Sequence, residues 1–333
     1  MQRQSFRDWV LLAIDDRSSD DTRDIVREIA ARDGRVVLVE IDEGPSSQAA
    51  NWNRVIRLAR TELVSMFGHD DVMMPALLEL QVRMLEAHPE MALCFAQGPF
   101  LDVSSRIVPN KHDMPMMHPK WDTDRIWPRH EFGPEVVVGG FVHPSSVMMR
   151  TAIAQAIEPF PEDMPLYLDI DYWSRLGDRG SVGYVAGDLL RYRLNPDGAY
   201  HRCIRTGRNL GDANKLFQRM MAHWEWSEER RRTFRAEYYH AQALRAFREA
   251  EIAWKKNDLA TARLQFAVCV ALARSAGDDL QDWIARWWNV RFLGRRFSSP
   301  RRRKLLADLA SMPVLRTYLT DRYLSGLPAE ERP

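Results

Sequence analysis

The chain has 333 residues, of which 45% are hydrophobic, and a formal net charge of +1 at pH 7. This length predicts one large domain or two ordinary ones, and the apolar fraction is that of a globular protein with a sizeable core. Because a net charge near zero gives no electrostatic basis for binding nucleic acid, no nucleic-acid partner is expected.

Strand and helix patterns alternate through the first hundred residues. Continuous apolar runs, typical of strands buried on both faces, predict strands at 9–14, 36–41, 63–67 and 91–96. Apolar stripes at helical spacing predict helices between them, around residues 22–32, 50–59 and 76–87. The alternation predicts an α/β fold, with a Rossmann-like, mostly parallel sheet flanked by helices.

The pattern is less regular after residue 100. Residues 100–108 predict a strand with a turn at Ser104 and Ser105, and residues 110–134, rich in Pro, Met, His and Trp, predict a long functional loop or lid. A helix over about 167–179 is predicted between short strands at 146–149 and 181–186.

Almost only helix is predicted from about residue 206 onward. Residues 238–254 and 258–273 are predicted to form an antiparallel pair, joined at 256–258. We therefore predict two domains: an α/β domain over residues 1–205 and an all-helical C-terminal region over residues 206–333.

Three acidic clusters are candidates for chemistry. Asp15 and Asp16 follow one predicted strand, and Asp70 and Asp71 follow another, so parallel strands would bring both pairs to one edge of the sheet. Carboxylates there can accept hydrogen bonds from a nucleotide and can hold a hard divalent cation that binds phosphate oxygens. Asp169 lies near the start of a predicted helix, where the dipole favours the ionised form that a general base requires.

In order along the chain, these motifs resemble family 2 glycosyltransferases of the GT-A fold. The resemblance covers roughly the first 200 residues. The motifs that carry it are IDDRSSDDT at 14–22, the segment from Asn51 to Pro75 that ends in DDVMMP, HPSSVMMR at 143–150 and DIDYWSRL at 169–176.

The resemblance implies a metal-dependent, inverting transfer of a sugar from a nucleotide-sugar donor, expected to be UDP-linked, to a hydroxyl acceptor. It assigns nucleotide binding to Asp15, Asp16, Asn51 and Asp70, with Asp16 on a uracil-type base. Asp70 and Asp71 would hold the ribose and a Mn²⁺ or Mg²⁺ ion at the diphosphate. Asp169 would be the catalytic base. The acceptor would be a glycan, a lipid-linked sugar or a protein, as in polysaccharide synthesis.

The chain departs from the family pattern at three places. Gly68 stands where the first Asp of the DXD element is usual. Asn195 stands where a His often follows the Tyr192–Arg193 pair, and His201 lies further on. The family's first strand and helix precede the motif at 14–22, whereas this chain starts after both. We expect the missing strand to be encoded upstream; the alternatives are that the two halves of the sheet close up, or that the protein is a catalytically impaired nucleotide-sugar-binding or adaptor protein.

The location of the protein follows from weaker signals. The three cysteines are far apart, no apolar run is long enough to span a bilayer, and no signal-peptide core is present, so a cytoplasmic protein is expected. Residues 281–305 combine seven arginines and one lysine with interleaved tryptophan and phenylalanine. This segment is a candidate for contact with the inner face of a membrane; the alternative is a helix whose aromatic side chains pack on the domain.

Overall fold

The computed structural model describes residues 1–44, 47–108, 121–139 and 142–277. These residues form two compact units. The first comprises Met1–Cys203 and Gly211–Ser227, and the second comprises Ile204–Leu210 and the described residues from Glu228 onward. The predicted division into domains at 205/206 stays a prediction.

Short strands and helices alternate through most of the described chain. The strands are β1 (Leu11–Asp15), β2 (Val36–Glu40), β3 (Leu63–Ser65), β4 (Val72–Met73), β5 (Met91–Gln97), β6 (Phe100–Leu101), β7 (Ile107–Val108), β8 (Arg125–Trp127), β9 (Met148–Arg150), β10 (Ser181–Asp188) and β11 (Leu190–Arg193). The helices are α1 (Thr22–Arg32), α2 (Gln48–Leu58), α3 (Leu77–Ala87), α4 (Phe132–Gly139), α5 (Thr151–Ala156), α6 (Leu168–Gly177), α7 (Ala199–Thr206), α8 (Arg208–His223), α9 (Glu228–Lys255) and α10 (Leu259–Ala276).

The largest sheet of the first unit is built around β5, whose seven residues are all buried. Its strand order is β3-β9-β5-β10-β8. β5 and β10 are parallel, but β9 is antiparallel to both of its neighbours, and β8 is antiparallel to β10. The predicted α/β class is confirmed, and the sheet is mixed rather than mostly parallel. Among the described residues, β1 pairs only with β2, so the two halves of the predicted sheet do not close up directly.

A mainly aliphatic core joins α3 to this sheet. Leu77 and Leu85 of α3 and Met91 of β5 are fully buried and belong to one cluster with Trp9 and Val185. Burial of side chains of this size stabilises the fold by roughly 1.5–3 kcal/mol each. This core holds the turn between β3 and α3 in place.

The long loop predicted at 110–134 is partly ordered structure. Residues 109–120 and residues 281–305 lie outside the described residues. Arg125–Trp127 forms β8 on the edge of the large sheet, and the indole Nε1 of Trp127 donates to Glu135 at 2.9 Å. Trp127 is buried, so it packs in the core and anchors this part of the segment.

The second unit contains the predicted helical pair. α9 and α10 pack against each other, and the connection at 256–258 has Asn257 at a φ of 63° and Asp258 as the N-terminal cap of α10. By length and composition α10 could cross a membrane, which corrects the prediction from sequence. Half of this helix is buried within the structure, as is usual for core helices.

Candidate active site

A cleft of about 470 Å³ in the first unit collects most of the predicted site residues. Asn51, Asp70, Asp71 and Asp169 all line it, although they come from three separate segments of the chain. Asp15 and Asp16 are not in its wall. Asp16 is connected to the cleft through Asn51, whose amide Nδ2 donates to Asp16 Oδ2 at 2.9 Å.

The Asn51 amide is held between two charged side chains. Its nitrogen donates to Asp16, and its oxygen accepts from Arg54 Nη1 at 2.6 Å. Arg17, which has a φ of 63°, also donates to Asp16. The neighbours therefore fix which way the amide faces and keep the Asp16 carboxylate beside the cleft.

Asp15 lies in a different environment from Asp16. It is buried and accepts hydrogen bonds from the Ser18 backbone N–H and the Arg23 guanidinium. Burial alone would raise the pKa of Asp15, but these hydrogen bonds outweigh it and lower the pKa. The visible role of Asp15 is to shape the turn after β1, and its part in nucleotide binding stays a prediction.

The acidic turn at 68–71 is tied to two other segments through Asp71. The Ser145 hydroxyl donates to Asp71 Oδ2, and the Arg193 backbone N–H donates to Asp71 Oδ1 at 2.8 Å. The Ser145 oxygen also accepts from the Gly68 N–H at 2.9 Å, and Arg193 Nε donates to the Asp70 carbonyl at 2.9 Å. Burial raises the pKa of Asp71. Asp71 thus fixes the turn, while the carboxylate of Asp70 makes no hydrogen bond to the rest of the described chain.

Oxygen atoms of three side chains converge beside Gly68. A Cβ atom placed on Gly68 would lie 3.1 Å from Asp70 Oδ1, 3.1 Å from Ser145 Oγ and 3.2 Å from Asp71 Oδ2. Oxygen atoms of this kind are the usual ligands of Mg²⁺ and Mn²⁺. The described residues contain no cluster of three His, Cys, Asp or Glu side chains suited to a metal. A cation here would therefore share its coordination with substrate phosphates and water, as Mg²⁺ commonly does.

Asp169 and Asp171 start the same helix but meet opposite surroundings. Asp169 lines the cleft and accepts from the Ile170 N–H at 2.8 Å. Asp171 is fully buried and accepts from Arg175 at 2.7 Å and from Arg219 at 2.7 Å. Only Asp169 is placed to meet a substrate, whereas Asp171 anchors α6.

Burial raises the pKa of Asp169 to about 6 and outweighs the backbone hydrogen bond that favours the carboxylate. We therefore expect turnover to fall about tenfold per pH unit below pH 6 and to level off above pH 7, because only the ionised form can accept a proton. The rate constant kcat measured between pH 5 and pH 8.5 checks this. A flat profile from pH 5 to pH 7 would contradict a role for Asp169 as base.

His143 and Tyr192 form an aromatic wall of the same cleft. Their rings stack at 4.8 Å, and Phe100 meets both edge-on. Burial lowers the pKa of His143 to about 4, so the imidazole is neutral at physiological pH. Burial and then the charges of Asp71, Asp169 and Asp70 raise the pKa of Tyr192, so its hydroxyl remains a donor.

Ser145 and Tyr192 were not predicted as site residues. Ser145 lies inside the motif at 143–150, and Tyr192 directly precedes Arg193. Both residues therefore belong to motifs of the family resemblance, but the sequence assigned neither of them a function. Their roles depend on contacts with distant residues: Ser145 with Asp71, 74 positions earlier, and Tyr192 with the ring of His143. His201 also lines the cleft, with its Nδ1 2.9 Å from the Asn195 carbonyl.

Comparison with known proteins gives one family match and several distant relatives. Residues 1–155 match the family model described as "Glycosyl transferase family 2". An uncharacterized glycosyltransferase of Methanocaldococcus jannaschii is 21% identical over 193 residues, which are 57% of this chain and 62% of that protein. In the curated relatives compared, the matched segment spans less than two thirds of the relative's length.

Two solved structures are similar at low sequence identity. The mannosyltransferase PcManGT from Pyrobaculum calidifontis, in complex with GDP-Man and Mn²⁺, is 16% identical with a TM-score of 0.48, covering 96% of this chain and 81% of that one. S. aureus TarS 1–349, in complex with UDP-GlcNAc, is 12% identical with a TM-score of 0.48, covering 83% of this chain and 86% of that one.

Proposed function

We propose that this chain, whose residues 1–155 belong to glycosyl transferase family 2, transfers a sugar from a nucleoside diphosphate sugar to an acceptor hydroxyl. A UDP-linked donor and an acceptor that is a glycan, a lipid-linked sugar or a protein are part of the proposal. The observation that carries it is the single cleft that holds Asn51, Asp70, Asp71 and Asp169. A nucleotide-binding amide, an acidic turn for a diphosphate and a carboxylate base are what such a transfer requires.

The donor nucleotide would lie at the end of the cleft formed by Asn51 and Asp16. The Asp16 carboxylate, held by Asn51 and Arg17, would accept a hydrogen bond from the N3–H of a uracil-type base. The diphosphate then extends towards Asp70. A divalent cation bound there, with Asp70 and Asp71 as its carboxylate ligands, would offset negative charge on the diphosphate.

Asp169 would accept the proton of the acceptor hydroxyl. As the proton moves to the carboxylate, the acceptor oxygen forms a bond to the anomeric carbon and the bond from that carbon to the diphosphate breaks. Because the attack is direct and opposite the leaving group, the anomeric configuration inverts. With a pKa of about 6, Asp169 is about nine-tenths ionised at pH 7, which suits a general base.

A panel of donors tests the proposed function. UDP- and GDP-linked sugars are incubated with the full chain, Mn²⁺ and candidate glycan or lipid-linked acceptors, and release of the nucleoside diphosphate is measured. We expect release above the protein-free rate with at least one donor, and mass spectrometry to show the acceptor with one added sugar. Nucleotide binding without any turnover across the panel would favour a catalytically impaired binding protein. If the chain shows no nucleotide binding and no turnover with any donor, the proposal is contradicted.

Asp70→Asn is expected to weaken Mn²⁺-dependent binding of UDP by at least about tenfold, because it removes the carboxylate charge that the described chain leaves unpaired. Binding of UDP in EDTA should change little. Isothermal titration with and without Mn²⁺ measures both. Glu79→Gln, a surface carboxylate that pairs with Arg83, is the control. Equal Mn²⁺ dependence in the Asp70 variant and the control would remove Asp70 from the cation site.

A further inference from the structure

The acidic turn provides only two carboxylates for a cation. Gly68 stands beside them, and the described residues offer no third His, Cys, Asp or Glu to complete a cluster. Mg²⁺ prefers six ligands in octahedral geometry, mostly oxygen atoms. A cation bound by Asp70 and Asp71 would therefore need further oxygen ligands.

The third oxygen at this position belongs to Ser145. The point that a Cβ on Gly68 would occupy lies 3.1 Å from Ser145 Oγ, as near as Asp70 Oδ1 and nearer than Asp71 Oδ2. Ser145 is buried and sits in a short 3₁₀ helix, Pro144–Ser146, that also lines the cleft. Three oxygen atoms from two segments of the chain therefore converge beside the Gly68 backbone.

The hydroxyl oxygen of Ser145 has a lone pair available for a cation. It donates its proton to Asp71 and accepts one hydrogen bond, from the Gly68 N–H. A hydroxyl oxygen has two lone pairs, so one remains for a further partner. Serine and threonine hydroxyls hold Mg²⁺ in P-loop nucleotide hydrolases, where phosphate oxygens supply other ligands.

Glycine at position 68 keeps this space open. A methyl group there would approach three oxygen atoms at 3.1–3.2 Å, closer than ordinary van der Waals contact. Any side chain would fill the position or push the oxygens apart. The departure from the family pattern at Gly68 thus coincides with a space that Ser145 can share with the two carboxylates.

We propose that Ser145 is the third oxygen ligand of the divalent cation, beside Asp70 and Asp71, and that Gly68 leaves room for it. The inference rests on the proposed function, since it concerns the cation of the same site. A purely structural role for Ser145, holding Asp71 and the Gly68 N–H, predicts that changes at 145 affect stability but not the preference among metals.

Exchange of oxygen for sulfur at position 145 separates the two roles. In Ser145→Cys, Mn²⁺ binding in the presence of UDP should weaken at least about tenfold, and the ratio of Cd²⁺ to Mn²⁺ affinity should rise roughly a hundredfold, because thiolates favour softer cations. Mn²⁺ binding is read from the loss of the free Mn²⁺ electron paramagnetic resonance signal, and Cd²⁺ binding from calorimetry. Ser146→Cys is the matched control, because Ser146 Oγ donates to the His143 carbonyl instead.

Three outcomes decide the inference. A rise in the metal ratio for Ser145→Cys but not for Ser146→Cys supports it, whereas equal ratios in the two variants overturn it. Absence of Mn²⁺ binding by the unmodified chain with UDP or GDP also overturns it, and donor turnover measured in EDTA then decides the proposed function separately. If Ser145→Cys does not fold, Gly68→Ala replaces it. That variant should lose Mn²⁺ affinity at unchanged UDP affinity in EDTA, and unchanged Mn²⁺ affinity overturns the inference.

Discussion

Asp169→Asn is expected to reduce turnover about 10²–10⁴-fold, because it removes the group that accepts the proton of the acceptor. The asparagine has nearly the same shape but cannot act as a base. Affinity for the nucleotide should be unchanged, since Asn51, Asp16 and Asp70 bind the other end of the donor. Steady-state kinetics gives turnover, and calorimetry with UDP gives affinity.

The control for this substitution is Asp163→Asn. Asp163 lies six residues earlier, is exposed and pairs with Lys215, and it is not in the wall of the cleft. This variant should retain the activity of the unmodified chain. Turnover by Asp169→Asn at the rate of the control would show that another group activates the acceptor.

The same substitution should stabilise the protein at neutral pH. The folded-state pKa of Asp169, about 6, lies above its ordinary value of 3.8, so stability is lost as the pH rises from 3.8, and the loss is complete above pH 6. That cost is absent below the ordinary pKa, where Asp169 is protonated in both states. Asp169→Asn should therefore raise Tm at pH 7.5 and leave it nearly unchanged well below pH 3.8, where the carboxyl is protonated in both states.

Asp171→Ala is expected to lower the free energy of unfolding by about 3–5 kcal/mol, although Asp171 is only two residues from Asp169. The carboxylate has no solvent exposure and pairs with Arg175 and Arg219. Its removal leaves the buried Arg175 guanidinium with two backbone carbonyls, those of Glu158 and Pro159, as its remaining acceptors. An unpaired buried charge costs far more than a lost surface ion pair.

Urea denaturation measures this loss as a shift of the transition midpoint, and hydrogen exchange of the α6 amides locates it. Arg219→Gln is the matched comparison, because it keeps the Asp171–Arg175 pair and should cost less. A midpoint for Asp171→Ala equal to that of the unmodified chain would show that the two arginines find other partners.

The different environments of Asp169 and Asp171 could not be predicted from the sequence. Resemblance to a family assigned Asp169 as the base, whereas Asp171 stands four residues before Arg175, the spacing at which two side chains of one helix can pair. Arg219 lies 48 residues after Asp171, and no local pattern indicates that it completes the buried pair. The burial that shifts the pKa of Asp169 depends equally on distant segments.

The direction of the strands was the main feature of the fold that the pattern did not contain. A strand inside a sheet is buried on both faces whether its neighbours run parallel or antiparallel, so Met148–Arg150 gives the same apolar signal in either case. The three-residue strand Arg125–Trp127 is too short to show an alternating pattern. Longer elements such as α3 and β5 were predicted because their periodicity extends over several turns or a full buried run.

The sequence pattern located the acidic turn, but it did not indicate that Asp70 and Asp71 have different contacts. Asp70 and Asp71 are equivalent as letters. They differ in the structure because Ser145 and the Arg193 N–H, 74 and 122 residues later, engage only Asp71. Both carboxylates line the cleft, but Asp71 also fixes the turn, whereas the carboxylate of Asp70 makes no hydrogen bond within the described chain.

The anomeric configuration of the first product tests most directly whether Asp169 alone activates the attacking group. Proton NMR can follow slow hydrolysis of the donor, in which water replaces the acceptor, before the released sugar mutarotates. A single displacement assisted by one base predicts release of the sugar with inverted configuration, and loss of this release in Asp169→Asn. Release with retained configuration would contradict this mechanism, because it requires a second displacement by a group that the described cleft would have to supply.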